Sequence, residues 1–249
     1  MAPTEADPLY LGPLLGVVFD LDGTLVESAH DYLRMRAAMI RIAESHGVAP
    51  GHLSVHDPIP RILESALSEL SLGGVSEGDR FRFESEANDV IDRIELEALP
   101  RTRARPGAAA LLKALTARGF RLAILTRSSE VFCRAALQRT GLKEFFPNLR
   151  TRSSPGPAKP SPDSLLLLLK EMGVALDRAV YVGDHPFDGE CATRAHVRFL
   201  GVAFPGSGDP ALEERLTRSG ALAVAPNLER IGELLGVPGA TTTAPRAGA

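Results

Sequence analysis

The chain has 249 residues, 44% of them hydrophobic and 24% charged, enough to bury one core and a smaller satellite domain. A net charge of −3 excludes a broad basic field for nucleic acid, so no nucleic-acid partner is expected. Cys133 and Cys191 lack Cys-x-x-Cys spacing, Met1 to Tyr10 is acidic, and no apolar run reaches about 18 residues, so the expectation is a cytoplasmic protein without disulfides, signal peptide or membrane partner.

The first element is a strand. Leu15 to Phe19 is short, apolar and contains paired valines, as in a strand buried on both faces, and Gly23 allows the sharp turn that ends it. Asp20 and Asp22 then stand two residues apart at the carboxyl edge of a sheet, where open α/β sheets bind ligands and where such side chains point the same way. A nucleophile beside an acid/base group is the chemistry this pair suggests.

From 26 to 103 the pattern turns helical. Residues 29–46, 58–71 and 78–98 carry apolar positions near 3.6 spacing, as in Leu33, Ala37 and Ile40, or Ala87, Ile91 and Ile94. Within this stretch His52, His56, Arg61, Arg80 and Arg82 are candidates to face an anionic substrate, although each alone reads as a surface residue. Glu84, Glu86, Asp89, Asp92, Glu95 and Glu97 read as a solvated helix face.

Beyond 105 strands and helices alternate. Pro106 to Arg118 is predicted helical, with Ala109, Leu111, Leu112 and Leu115 inward; Phe120 to Thr126 is a strand; Glu130 to Thr140 is a helix stopped by Gly141. Ser161-Pro162 opens a helix through Met172, and Ala179 to Gly183 is a strand. Shorter strands at 197–203 and 221–225, with helices near 210–218 and 226–235, complete a parallel, doubly wound α/β sheet. Val237 to Ala249, rich in Gly, Ala, Thr and Pro, is predicted disordered.

Three further segments carry chemistry. Thr126 closes its strand with a hydroxyl, where side chain and following backbone N–H can donate to a phosphate oxygen. Lys159-Pro160-Ser161-Pro162-Asp163 stiffens the approach of a lysine to a helix. Gly183-Asp184-His185-Pro186-Phe187-Asp188 places two acids after a strand, hard oxygen donors that suit Mg²⁺. His185 by itself reads as an ordinary loop histidine.

The order of Asp20-Leu21-Asp22-Gly23-Thr24, Thr126, Lys159 and Asp184 with Asp188 resembles the haloacid dehalogenase superfamily, and more narrowly its helical-cap phosphoglycolate-phosphatase-like and β-phosphoglucomutase-like members. The resemblance implies a Rossmann-like core over 1–25 and 104–236, a helical cap over 26–103 inserted after the first strand, and a tail over 237–249. It implies a Mg²⁺-dependent phosphatase acting on a small phosphorylated metabolite through an aspartyl-phosphate. Asp20 would be nucleophile and metal ligand, Asp22 the general acid/base with its carbonyl on the metal, and Asp184 a metal ligand. Asp188 would be a ligand or a support behind the ligands, and Gly23, Thr126, Arg127 and Lys159 would hold the phosphate. Arg127 stands where the family commonly has Asn or Ser, which leaves its side chain without an implied role. The acid at Asp22 separates the chain from dehalogenases and phosphonatases, which generally lack it. A phosphomutase remains open, as do a non-catalytic relative and, against the chain length, an aspartyl-phosphate signalling receiver. As to assembly, a monomer or a homodimer is expected.

Overall fold

The computed structural model describes residues 13–206 and 208–237. Strand β1 (Gly16–Phe19) lies at the centre of a parallel sheet ordered β5-β4-β1-β6-β7-β8, with β4 (Arg121–Leu125) and β6 (Ala179–Gly183) as its two neighbours. On one side β4 pairs with β5 (Asn148–Arg150); on the other, β6 is followed by β7 (Arg198–Val202) and β8 (Ala221–Ala225). The chain leaves β1 toward β4 and later returns to β1's other flank as β6. That reversal is a topological switch point, and it opens a crevice at the carboxyl ends of β1, β4 and β6.

The strands read as continuous apolar runs because helices cover the sheet. Val18, Tyr181 and Phe199 pack with Leu165, Leu168 and Leu169 of α6 (Asp163–Met172) and with Cys191 and Ala192 of α7 (Pro186–Arg194). The predicted helices of this part appear as α4 (Ala108–Ala117), α5 (Glu130–Thr140), α8 (Leu212–Arg218) and α9 (Leu228–Leu234) in addition to α6 and α7. Helix α4 begins after Gly107, whose φ of +79 breaks the chain direction, so Pro106 lies outside it and Ala108 takes the inward position expected for Ala109. Glycines 141 and 173 end α5 and α6 in the left-handed conformation.

Two short pairings were not legible from periodicity. Strand β5 contributes only three residues at the sheet edge, and β2 (Val26–Glu27) pairs antiparallel with β3 (Arg103–Ala104) where the chain enters and leaves the helical segment. Neither is long enough to show an alternating pattern.

Ser28–Arg101 forms a separate compact unit of α1 (Tyr32–Ser45), α2 (Ile59–Leu72) and α3 (Glu77–Ala98). Its core joins Met35, Ala38, Met39 and Ala43 to Ile62, Ala66 and Leu70 and to Phe83, Ala87, Ile91 and Ile94. Of the stripe expected from Leu33, Ala37 and Ile40, Ile40 lies in this core, whereas Leu33 is exposed, which corrects that part. Helix α1 is apolar on more than one face, and Met35, Met39 and Ala43 at i, i+4 and i+8 turn inward instead. Glu95 is likewise a correction: expected on the solvated face, it is buried.

Val237 is buried and its N–H donates to the Gly232 carbonyl at 2.8 Å, so it belongs to the packed part and not to the tail. Residues 238–249, where the remainder of that expectation falls, lie outside the described residues, as do 1–12. Among the described residues, no helix is long and apolar enough to cross a membrane. Phe83, fully buried among three helices, tests the independence of the helical unit: Phe83→Ala should cost it about 3–5 kcal/mol in chemical denaturation, and a loss below about 1 kcal/mol would contradict this core.

Candidate active site

The end of β1 is drawn into the crevice by one backbone bond. The Asp20 N–H donates to the Val182 carbonyl at 2.9 Å, which sets Asp20 beside the Gly183-Asp184 end of β6. The next residues close a tight loop: the Leu21 carbonyl accepts from the Leu25 and Val26 N–H groups, and the Gly23 N–H donates to Val26. Leu21 and Leu25 are buried beneath it, which makes the loop rigid rather than a free turn. Gly23 has φ +88, and a Cβ there would stand 2.1 Å from Asp184 Oδ2. Only glycine lets the Asp184 carboxylate approach so closely.

Four ionisable side chains then meet, three of them almost out of water and Asp184 half-buried. Asp20 is 7% exposed, Lys159 3% and Asp188 not at all. The Lys159 ammonium lies 2.9 Å from Asp20 Oδ1 and 2.6 Å from Asp188 Oδ1. Asp20 Oδ1 also accepts the Leu21 N–H at 2.7 Å. On the other flank, the Thr24 hydroxyl donates to Asp184 Oδ1 at 2.6 Å. Thr24 belongs to the first acid-pair segment, yet nothing in the sequence separated it from a buried turn residue.

Asp188 is occupied on both oxygens. Its Oδ1 receives Lys159 and lies 2.9 Å from the Tyr181 hydroxyl, while its Oδ2 accepts the His185 N–H at 3.0 Å. Gly183 permits this, because a Cβ there would meet Asp188 Oδ2 at 2.4 Å. His185 is the cap of α7, its Nδ1 accepting the Phe187 N–H at 3.1 Å, which gives the loop histidine a definite structural task.

Thr126 is buried at the tip of β4, with its N–H on the Arg150 carbonyl and its Oγ1 accepting the Ser128 N–H at 3.2 Å. The Arg127 guanidinium hydrogen-bonds the Lys159 main-chain carbonyl, and Arg152 donates to the Arg127 carbonyl at 2.9 Å. Asp22 is half-buried and bridges toward Val26. The candidates on the helical unit meet partners of that unit: His52 contacts Glu69 at 3.0 Å, Arg61 Asp57 at 3.8 Å, Arg82 Asp79 at 3.1 Å, and Arg80 bonds the Ser71 hydroxyl.

Burial dominates the electrostatics. It pushes the Asp20 carboxyl up to about 7, Asp188 adding to it, although Lys159 pulls the other way. Burial and then Asp20 and Asp188 hold Asp184 well above the usual carboxylate range, against the Thr24 hydroxyl. For Lys159 burial favours loss of the proton, but Asp188 and Asp20 outweigh it and keep its pKa above the ordinary lysine value. Asp20, Asp184 and Asp188 each offer one oxygen within 4.8 Å of the others. Two buried carboxylates and a half-buried one against one ammonium leave the cluster short of positive charge, and hard oxygens with a glycine floor fit a small divalent cation such as Mg²⁺.

The raised Asp20 value has a pH consequence. Between its ordinary 3.8 and about 7 the folded chain holds a proton that the unfolded chain has released, so its contribution to stability falls as pH rises through that window. The melting temperature of chelator-treated protein should therefore drop from about pH 5 to about pH 8, and Asp20→Asn, neutral and of equal volume, should reduce the drop. A wild-type melting temperature insensitive to pH over that range would contradict it.

Comparison with known proteins follows the geometry. A haloacid dehalogenase-like hydrolase profile matches residues 15–196. The phosphoglycolate phosphatase of Rhodospirillum rubrum is 31% identical over 225 residues, 89% of this chain and 91% of that protein. The N-acetylmuramic acid 6-phosphate phosphatase of Pseudomonas aeruginosa is 28% identical over 200 residues, 77% of this chain and 82% of that one. The crystal structure of a hydrolase from Pseudomonas syringae superposes with a TM-score of 0.62 at 24% identity, covering 90% of this chain and all of that one, a likeness of fold. With its six-stranded parallel sheet and the acid, lysine and acid clusters at one sheet edge, the chain belongs to the haloacid dehalogenase-like hydrolase family.

Proposed function

We propose that the protein is a Mg²⁺-dependent phosphatase that hydrolyses a small phosphorylated metabolite of the phosphoglycolate kind through an aspartyl-phosphate on Asp20. The observation that carries this reading is the buried Asp20 carboxylate, clamped by the Lys159 ammonium at 2.9 Å and set beside Asp184 at the sheet edge. A carboxylate in that position attacks phosphorus once repulsion is removed: a phosphate monoester brings about −2, and three acids add −3. Lys159 returns one positive charge. Mg²⁺, held by Asp20, Asp184 and the Asp22 carbonyl, would supply two more and polarise the phosphoryl oxygens.

The chain's own groups divide the remaining work. Lys159 neutralises both the nucleophile and the incoming phosphate, and Asp188 holds Lys159 in place instead of a metal, since both of its oxygens already receive protein donors. The Thr126 hydroxyl and the following N–H, that of Arg127, donate to phosphate oxygens. Asp22, outside the Lys159 ion cluster, gives a proton to the leaving alkoxide and later takes one from the hydrolytic water. The helical unit takes the part of a cap that selects the leaving group. Cys133 and Cys191, both buried and held as thiols, suit a reducing cytoplasm. The R. rubrum relative, matched along nine-tenths of both chains, supports the phosphoglycolate class.

The decisive experiment is a panel of phosphoglycolate, N-acetylmuramic acid 6-phosphate, sugar phosphates, nucleotides and pyrophosphate, scored with Mg²⁺ for both phosphate release and isomer formation. Release of inorganic phosphate with preference for a small acid phosphate is expected. Isomer without phosphate would make the protein a mutase, and no turnover of any ester would refute the reading.

Asp20→Asn should lower kcat by at least about 1,000-fold while the fold persists, because an amide cannot attack phosphorus. Lys159→Ala should cost about 100- to 1,000-fold at saturating Mg²⁺, and an unchanged kcat/KM would remove Lys159 from the chemistry. EDTA should abolish activity and Mg²⁺ restore it, with Asp184→Ala raising the Mg²⁺ requirement far more than Asp188→Ala.

A further inference from the structure

Lys159 follows a segment that cannot hold itself. Residues 155–160 read Pro-Gly-Pro-Ala-Lys-Pro, so three of six lack a backbone N–H and the carbonyls there must find donors elsewhere. They do. Arg150 donates to the Pro155 carbonyl at 2.6 Å, the Ser164 hydroxyl to Pro157, the Ser161 N–H to Ala158 at 3.0 Å, and Arg194 to Pro160 at 3.4 Å. Among the described residues, the Arg127 guanidinium supports the carbonyl of Lys159 itself.

That bond joins two parts of the site. Arg127 follows Thr126 at the tip of β4, so its side chain ties the strand end that faces phosphate to the main chain of the residue that carries the ammonium. Asp188, itself braced by Tyr181 and the His185 N–H, holds the other end of the same side chain. Arg127 is itself anchored, its carbonyl accepting from Arg152. A shorter side chain here, such as Asn or Ser, could not span from the β4 tip as the arginine does.

We propose that Arg127 is a positioning residue that fixes the Lys159 ammonium on Asp20 by hydrogen-bonding the Lys159 carbonyl. The inference rests on the phosphatase reading for its kinetic arm and on structure alone for its second arm. Burial and neighbouring Arg152 lower the Arg127 pKa to about 10, with Asp20 and Asp188 opposing, so the group remains a charged donor near neutral pH.

The test compares Arg127→Met, which removes donor and charge, with Arg127→Lys, which keeps an N–H donor and the charge at nearly the same reach, and Arg127→Gln, whose uncharged amide falls well short of where the guanidinium ends. The full-length chain is assayed with p-nitrophenyl phosphate and phosphoglycolate. Arg127→Met should lower kcat by about 10- to 100-fold with KM changed by less than about threefold, and Arg127→Lys should recover most of kcat. The second readout is the ¹H–¹⁵N signal of the Lys159 ammonium, which should be visible in the wild type and in Arg127→Lys but lost in Arg127→Met.

An unchanged kcat in Arg127→Met would overturn the proposal. So would a rise in KM for phosphoglycolate alone, which would mean that Arg127 touches substrate, or rescue of kcat by Lys while the Lys159 ammonium signal stays lost, which would mean that charge alone matters. Should Arg127→Met not fold, Arg127→Gln takes its place: an impaired Gln variant beside a near-wild-type Lys variant that keeps the ammonium signal supports the proposal, and a near-wild-type Gln variant overturns it. If the wild type turns over no ester, the phosphatase reading fails while the ammonium signal still decides: its loss in folded Arg127→Met supports the positioning role, and its persistence refutes it.

Discussion

A single ammonium, that of Lys159, sits between two carboxylates that water barely reaches, and the rest of the core is arranged around that fact. Removing one partner from a buried ion cluster leaves an uncompensated charge, so the cluster constrains its neighbours far more than an exposed pair would. The constraint runs through structure. Asp20 comes from the middle strand, Asp188 from the first turn of α7, and Lys159 from a proline-rich approach to α6, three parts of the chain far apart in sequence. Tyr181 shows how deep the support goes: its hydroxyl lies 2.9 Å from both Asp188 Oδ1 and the Leu125 carbonyl, so a residue inside β6 braces an acid beyond the strand's end.

Close packing of acids makes the second half of the site. Asp184 has Thr24 as donor and Gly23 as floor, and both it and Asp20 hold protons more readily than free carboxylates because burial penalises their charge. A cation relieves that penalty directly. The same geometry that makes a group of close carboxylates costly therefore fits Mg²⁺ and, in the proposed reaction, a phosphoryl group whose charge the lysine and metal would offset together.

Much of this was legible residue by residue. The apolar run before Asp20 announced a central buried strand because a parallel strand is covered on both faces, and Gly141 and Gly173 announced helix ends because few other residues adopt the left-handed turn. Asp20, Lys159, Asp184 and Asp188 were recognisable by their order and by the strand or helix beside each. Leu33 and Glu95 were misread for one reason: on a helix with more than one apolar face, or with acids spread around it, periodicity does not say which face the neighbouring helices cover.

What the sequence by itself determined is therefore local: which segments are strands and helices, where glycine or proline stops them, and which residue types stand at their ends. Such properties depend on backbone preferences and nearest neighbours along the chain. Tertiary structure alone decided the pairing of the three-residue β5, the donation of Thr24 to Asp184, the occupation of both Asp188 oxygens, and the reach of Arg127 to the Lys159 carbonyl. Each of these joins residues from separate elements through one hydrogen bond or a few ladder bonds. Those distances are set by how the sheet stacks its strands, and no pattern along the chain encodes them.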